Sequence, residues 1–196
     1  YSVGKPAYLM MKTASTKKSF GSSELFYTSY PGTLFTYQFS HAFLDFRNWR
    51  DEEGVDWFDN SVQASIAAND YAQYMADRYQ TLGENAWGMT ASDGPDGYRA
   101  YGNLPAVGSI AIDGTLAPCG AIGSIVFTPD LSLDAIEYYA SIPRLQSRYG
   151  FRDSFHLGIQ EDAPTGTIRP AASIPVDGWF ATDVIGIDKG ITVIMI

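Results

Sequence analysis

Between residues 34 and 49 the apolar residues Phe35, Phe39, Ala42, Phe43, Phe46 and Trp49 recur at three- and four-residue steps. That is the spacing of one face of an α-helix, so a helix is predicted over 34–49. The same winding puts Gln38, His41 and Asp45 on a second, polar stripe. A second helix is predicted to begin after Asn60, a good N-cap, with Val62, Ile66, Ala67, Tyr71, Tyr74 and Met75 on its buried side. A third starts near Ser132 and runs through Ile136, Tyr139 and Leu145, with Pro143 as a kink. A fourth begins after Asp188. The segment 83–130 is different: it is rich in Gly, Pro, Ser and Asp and shows no strong period-two alternation. Trp87, Met89, Tyr98, Tyr101, Ile110 and Ile112 are interleaved with its turn formers, which predicts an ordered loop packed across one end of a helical layer. These elements predict an all-α fold with long structured loops, in one domain segment covering residues 1–196.

Composition narrows what such a domain could bind. The chain has 196 residues, enough for a sizeable core, and 45% of them are hydrophobic, which excludes a disordered chain. Thirteen basic against 22 acidic residues give a net charge of −9, and with no basic stripe this argues against nucleic acid. Two His and one Cys argue against a zinc site of the usual type, and no metal or cofactor is expected. Cys119 has no partner for an intrachain disulfide and reads as a small core residue. No signal peptide or membrane span is read in the chain, so membrane insertion is not expected. It begins at Tyr1 without a Met and ends in the apolar run from Gly190 to Ile196. Both ends read as cuts, which predicts a segment of a larger protein. An acidic chain that is 14% aromatic suits a carbohydrate ligand.

Candidate chemistry concentrates in residues 83–102, which hold five glycines, three acids and three large aromatics. Glycines allow the backbone to approach a ligand closely. Trp87 and Tyr98 offer flat faces on which sugar rings stack, while Asp93, Asn85 and nearby Arg side chains can bond hydroxyls. Glu84, close to an indole, suits a general acid, because an apolar neighbour raises a carboxyl pKa. The same composition also fits a turn-rich loop whose Trp fills a gap in the core. Asp45 is a further candidate four residues after His41, and Arg47 follows so closely that pairing is not required. Its plainer reading is a capping or salt-bridging residue. The acidic run of Asp51, Glu52, Glu53, Asp56 and Asp59 reads as a solvated turn, and His156 as a satisfied histidine near a helix end.

Several motifs resemble a known family. Gln38-Phe-Ser-His-Ala-Phe-Leu-Asp-Phe-Arg47 and Val55-Asp-Trp-Phe-Asp-Asn-Ser61 resemble the glucoamylase-like domain of bacterial endo-β-1,2-glucanases, also found in synthases of cyclic β-1,2-glucan. The run from Glu84 to Tyr98 (Glu-Asn-Ala-Trp-Gly-Met-Thr-Ala-Ser-Asp-Gly-Pro-Asp-Gly-Tyr) is similar to that family's most distinctive loop. Asp113-Gly-Thr-Leu-Ala-Pro118, Phe127-Thr-Pro129, Tyr149-Gly-Phe-Arg-Asp-Ser-Phe155 and Ile185-Gly-Ile-Asp-Lys-Gly190 follow in the family's order.

The resemblance implies an (α/α)6 toroid of six helical hairpins, of which this chain would be the C-terminal part, set against the missing remainder as another segment or chain. It also implies an inverting β-1,2-glucan hydrolase with two carboxyl groups, acting on an oligo- or polysaccharide in the periplasm or outside the cell. Glu84, Asp45 and Asp93 are then the catalytic candidates, and Trp87, Arg47, His41, Tyr98 and Asn85 the substrate-binding ones. The acidic residue that the family places after a Tyr-Ser pair falls on Val3, and its Ser-Pro-Thr-His stretch reads Thr13-Ala-Ser-Thr16. An aliphatic side chain cannot transfer a proton. The alternative is therefore a non-catalytic glycan-binding or scaffold protein on the same fold.

Overall fold

The computed structural model describes residues 16–162 and 174–196; Val3 and residues 13–15 lie outside them. Among the described residues there are five α-helices, at Phe35–Phe43 (α1), Trp57–Tyr74 (α2), Pro118–Ile122 (α3), Pro129–Ala140 (α4) and Gly186–Met195 (α5). Four two-stranded antiparallel sheets join them: Lys17–Lys18 with Phe26–Tyr27 (β1, β2), and Ala91–Ser92 with Arg99–Ala100 (β3, β4). The others pair Gln146–Ser147 with Gly150–Phe151 (β5, β6) and Phe155–His156 with Trp179–Phe180 (β7, β8). The all-α expectation is thereby overturned. The arrangement is mixed, and the expected six-hairpin toroid is not the description these elements support. The strands were hidden because each is two residues long, too short to show alternation.

α2 is the longest helix and runs through the core. Its cap is Asp56, whose side chain accepts from the Asp59 amide at 2.9 Å, rather than Asn60. Asn60 instead lies buried inside the helix and clasps the backbone of Tyr27, accepting from its N–H at 2.7 Å and donating to its C=O at 3.2 Å. The small residues Ala64, Ala67, Ala68 and Ala72 let neighbours approach α2 closely, and Tyr71 fills the space beside them.

α1 is shorter than its pattern suggested and buries a different side. It stops at Phe43, and the side chains it buries are Tyr37 and Gln38. Phe43 and Trp49, predicted on the buried stripe, are largely exposed. Gln38, predicted on the polar stripe, is 1% exposed and donates to the Gly120 carbonyl at 2.7 Å and to Ser124 Oγ at 2.8 Å. An amide that satisfies α3 from inside the core looks polar in a periodicity count and behaves as a structural tether.

The segment 83–130 builds the core rather than lying across it. Trp87, Met89, Tyr101, Leu116 and Ala121 are fully or almost fully buried, packed with Tyr139 of α4 and Phe155 of β7. A second, smaller cluster of Cys119, Phe127, Ile191 and Met195 seats α5 against α3, with Phe39 and Phe58 beside it. No helix among the described residues is long and apolar enough to cross a membrane.

Candidate active site

The loop from Gly83 to Tyr101 is set by its buried anchors. Trp87 Nε1 donates to the Leu131 carbonyl at 3.2 Å, and Tyr139 Oη donates to the Trp87 carbonyl at 3.1 Å. At the next residue the chain needs φ of +92°, and a Cβ on Gly88 would sit 2.7 Å from the Ala121 nitrogen. Only glycine allows the loop to rest backbone-to-backbone on α3 there. Asn103 Nδ2 ties the loop further, donating to the Met89 carbonyl at 2.7 Å and the Gly32 carbonyl at 3.0 Å.

Trp87 is therefore a core residue. With 0% of its surface exposed, its indole faces are covered by protein and form no platform for a sugar ring. Glu84 and Asn85 are exposed on the adjoining turn, where Asn69 of α2 donates to the Glu84 carbonyl at 2.7 Å. The indole points inward while the carboxyl stands outward, so the apolar setting expected for Glu84 does not come from Trp87.

Asp93 is held differently. It follows β3, half-buried, with both of its backbone polar groups engaged. Its N–H donates to Asp153 Oδ2 at 2.9 Å, and its carbonyl accepts from Ser154 Oγ at 2.6 Å. Tyr98 stands on the other side of the hairpin with 56% of its surface exposed. Burial raises the Tyr98 phenol pKa, and the nearby Asp188 and Asp153 carboxyls raise it further.

Beneath the hairpin lies a pair of buried acids that the sequence reasoning missed. Asp153 precedes β7 and Asp188 sits in the first turn of α5, with 2% and 3% of their surfaces exposed. Asp153 Oδ1 and Asp188 Oδ2 have no donor from elsewhere in the protein. Both carboxyls line one cavity, and the charge of Asp153 disfavours ionisation of Asp188. Burial, then the neighbouring Asp153, push Asp188 up to about 8, while burial also raises Asp153. Lys189 opposes both shifts, and its ammonium donates to the Phe151 carbonyl. Cys119, wholly buried beside this pair, has its thiol pKa raised by desolvation. A cavity of about 290 Å³ opens along the pair, lined by Tyr149, Phe151, Arg152 and Lys189.

The remaining predicted residues form a separate group at the end of α1. Arg47 grips Asp45 with two hydrogen bonds, Nε to Oδ1 at 2.9 Å and Nη2 to Oδ2 at 2.8 Å, in an exposed fork. This contact, which the sequence did not require, holds the Asp45 carboxyl down at about 2. His41 Nε2 lies 3.0 Å from Ser61 Oγ among the rings of Phe46, Phe58 and Phe127, and burial lowers its pKa. His156 is fully buried on β7 rather than at a helix end. It accepts from the Gly158 amide through Nδ1 and so donates to the Asp113 carbonyl from Nε2, at 2.9 and 2.6 Å. The structure thus brings Asp93 and Tyr98 together over Asp153 and Asp188, puts Glu84 and Asn85 on a neighbouring turn, and groups His41, Asp45 and Arg47 elsewhere.

Comparison with known proteins places the chain in a family. All of residues 1–196 match the family model Glycoamylase, described as "Putative glucoamylase", and the chain belongs to that family. Over 135 residues it is 33% identical to an exo β-1,2-glucooligosaccharide sophorohydrolase (non-reducing end) of Parabacteroides distasonis, covering 68% of this chain and 18% of that protein. Among solved structures it is similar to a β-1,2-glucanase from Parabacteroides distasonis, with 28% identity and a TM-score of 0.66 over 84% of this chain and 20% of the other. A protein from Bacteroides uniformis, described like the family, gives 30% identity and a TM-score of 0.65 over 84% of this chain and 34% of the other. The chain spans about a fifth to a third of the length of these relatives.

Proposed function

We propose that this chain is the part of a β-1,2-glucan hydrolase that carries Glu84 and Asp93 as its reacting carboxyl groups. The sophorohydrolase and β-1,2-glucanase relatives support the substrate class. The observation that carries the assignment is Asp93 itself. Asp93 is half-buried at the end of a strand, its backbone is fixed from both sides, and the exposed Tyr98 belongs to the same hairpin. A rigid element with an accessible acid is what proton transfer in a defined geometry needs.

The chemistry is glycoside hydrolysis with inversion. One carboxylic acid gives its proton to the glycosidic oxygen as the C–O bond breaks, and one carboxylate takes a proton from the water that attacks the anomeric carbon. Glu84 is assigned the first role and Asp93 the second. Tyr98 and Tyr149, both exposed beside the buried acid pair, replace Trp87 as stacking surfaces. Asp45, whose carboxyl is held down at about 2 by Arg47, is poorly suited to give up a proton at neutral pH. A polymeric glucan substrate puts the site of action in the periplasm or outside the cell. The complete protein incubated with linear β-1,2-glucan should release short oligosaccharides whose new reducing ends first appear as the α anomer in the NMR spectrum. Retained activity in both Glu84→Gln and Asp93→Asn would remove the assignment.

Val3, at the place where the resemblance expects an acid, favours a second reading in which the fold binds glucan without cleaving it. That reading predicts glucan affinity in the wild type and in both variants, with no product in any of them.

A further inference from the structure

Asp153 and Asp188 are not needed by the chemistry just described, yet both are almost completely buried. They come from distant parts of the chain, one before β7 and one in α5, and they line the same cavity. Asp153 has one oxygen committed to the Asp93 amide. The other is buried without a hydrogen-bond partner, and the same is true of one Asp188 oxygen. Two carboxylates cannot sit together in an apolar pocket without a proton between them.

We propose that Asp153 and Asp188, sharing one proton, act as a positioning pair that links α5 to the backbone of Asp93 and so sets the geometry of the hairpin. The inference rests on the reading of Asp93 as a reacting group. The proton is the joint of the assembly. With it, Asp188 binds Asp153 and Asp153 keeps its second oxygen on the Asp93 amide. When the proton leaves to bulk base, two negative charges share the site, repel one another, and the link to α5 is lost. Charged and titratable groups around the pair act on that equilibrium in known directions. Lys189 on α5 favours the ionised pair, while Asp93 disfavours ionisation of Asp153. Tyr98 on the hairpin and Cys119 on α3 are neutral neighbours whose own ionisation the pair resists. Arg152 lines the same cavity but is turned to the carbonyls of Arg144 and Ala181. His41, on the helix α1 that also packs on α5, lines the separate pocket by Ile194 and Met195.

The test uses the complete protein and reads both turnover and structure. Asp188→Ala removes the joint and should lower kcat on β-1,2-glucan about tenfold to a hundredfold with KM changed less than about threefold. Asp188→Asn, which restores a neutral hydrogen-bonding partner, should recover most of that loss and should abolish the alkaline fall of kcat expected near pH 8 in the wild type. Hydrogen exchange of the segment containing Asp93 supplies a readout that needs no activity. After correction for intrinsic rates it should accelerate about tenfold from pH 6 to pH 9 in the wild type and stay level in Asp188→Asn. If the wild type cleaves no glucan but shows this exchange pattern, the positioning pair stands and the hydrolase assignment falls. If exchange and the pH profile are the same in the wild type and Asp188→Asn, or Asp188→Ala keeps full kcat, the positioning pair is overturned.

Discussion

The backbone N–H of Asp93 donates to Oδ2 of Asp153 across 2.9 Å, joining segments sixty residues apart in the chain. Ser154, the next residue, donates from Oγ to the Asp93 carbonyl at 2.6 Å. Two neighbouring side chains therefore hold both backbone polar groups of one half-buried residue. Ser154→Ala removes one of the two bonds from a buried site. It should cost about 1–2 kcal/mol of stability, measured by chemical denaturation, and lower kcat more than it raises KM.

Trp87 and Tyr98 separate packing from binding. Trp87→Ala opens a large cavity in a fully buried site and leaves the Leu131 carbonyl without its donor, so it should destabilise by about 3–5 kcal/mol. Tyr98→Ala, at an exposed position, should change the melting temperature little and raise KM for β-1,2-glucan oligosaccharides. Melting curves and Michaelis kinetics on the two variants check the contrast.

Gly88 reports how the loop is seated on α3. Its φ of +92° and the 2.7 Å approach of a would-be Cβ to the Ala121 nitrogen make Gly88→Ala unfavourable on both counts. A loss of about 2–4 kcal/mol is expected, several times the loss from a glycine-to-alanine change at the open Gly83 position. Denaturation midpoints of the two variants give the comparison.

Stability should also fall as pH rises. Asp188 has its pKa raised from 3.8 to about 8 by folding. Its contribution is fully present below about pH 4, where both folded and unfolded chains hold the proton. It is lost progressively up to about pH 8, because over that range only the folded chain holds it. The half-buried His41 and the buried His156 act in the opposite sense, since their lowered pKa values make protonation on the acid side favour the unfolded chain. The melting temperature should therefore be higher near pH 6 than at pH 8.5, and Asp188→Asn should flatten that alkaline slope. A wild-type melting temperature that rises toward pH 8.5 would contradict the assignment of a shared proton.

The sequence made the longer helices and much of their buried faces visible: Ala67, Tyr71 and Met75 along α2 and Tyr139 on α4 are buried, while Tyr74 is exposed. α2 and α4 appear within a few residues of the predicted positions because their apolar residues recur at helical spacing. α1 was given the wrong buried side because Gln38 satisfies α3 from inside the core, while Phe43 and Trp49 are left at the surface. A periodicity count has no means of ranking a buried amide above an exposed aromatic. The strands escaped because pairs of two residues carry no alternation, and the segment 83–130 looked like a loop because its core contacts come from single large residues between turns. Within the site, the loop holding Glu84, Asp93 and Tyr98 was legible from its glycines, acids and aromatics. Asp153 and Asp188 were not, since what marks them is each other, and that meeting exists only after folding.

We propose above all that Asp93 is a reacting carboxyl held in place by its neighbours, within an enzyme that cleaves β-1,2-glucan. The most direct measurement is the initial rate of product release from linear β-1,2-glucan by the complete protein and by Asp93→Asn, with folding verified by matching melting curves. The account predicts clear turnover by the wild type and a loss of about a hundredfold or more in the variant at little change in KM. Wild-type turnover that survives intact in Asp93→Asn would contradict it.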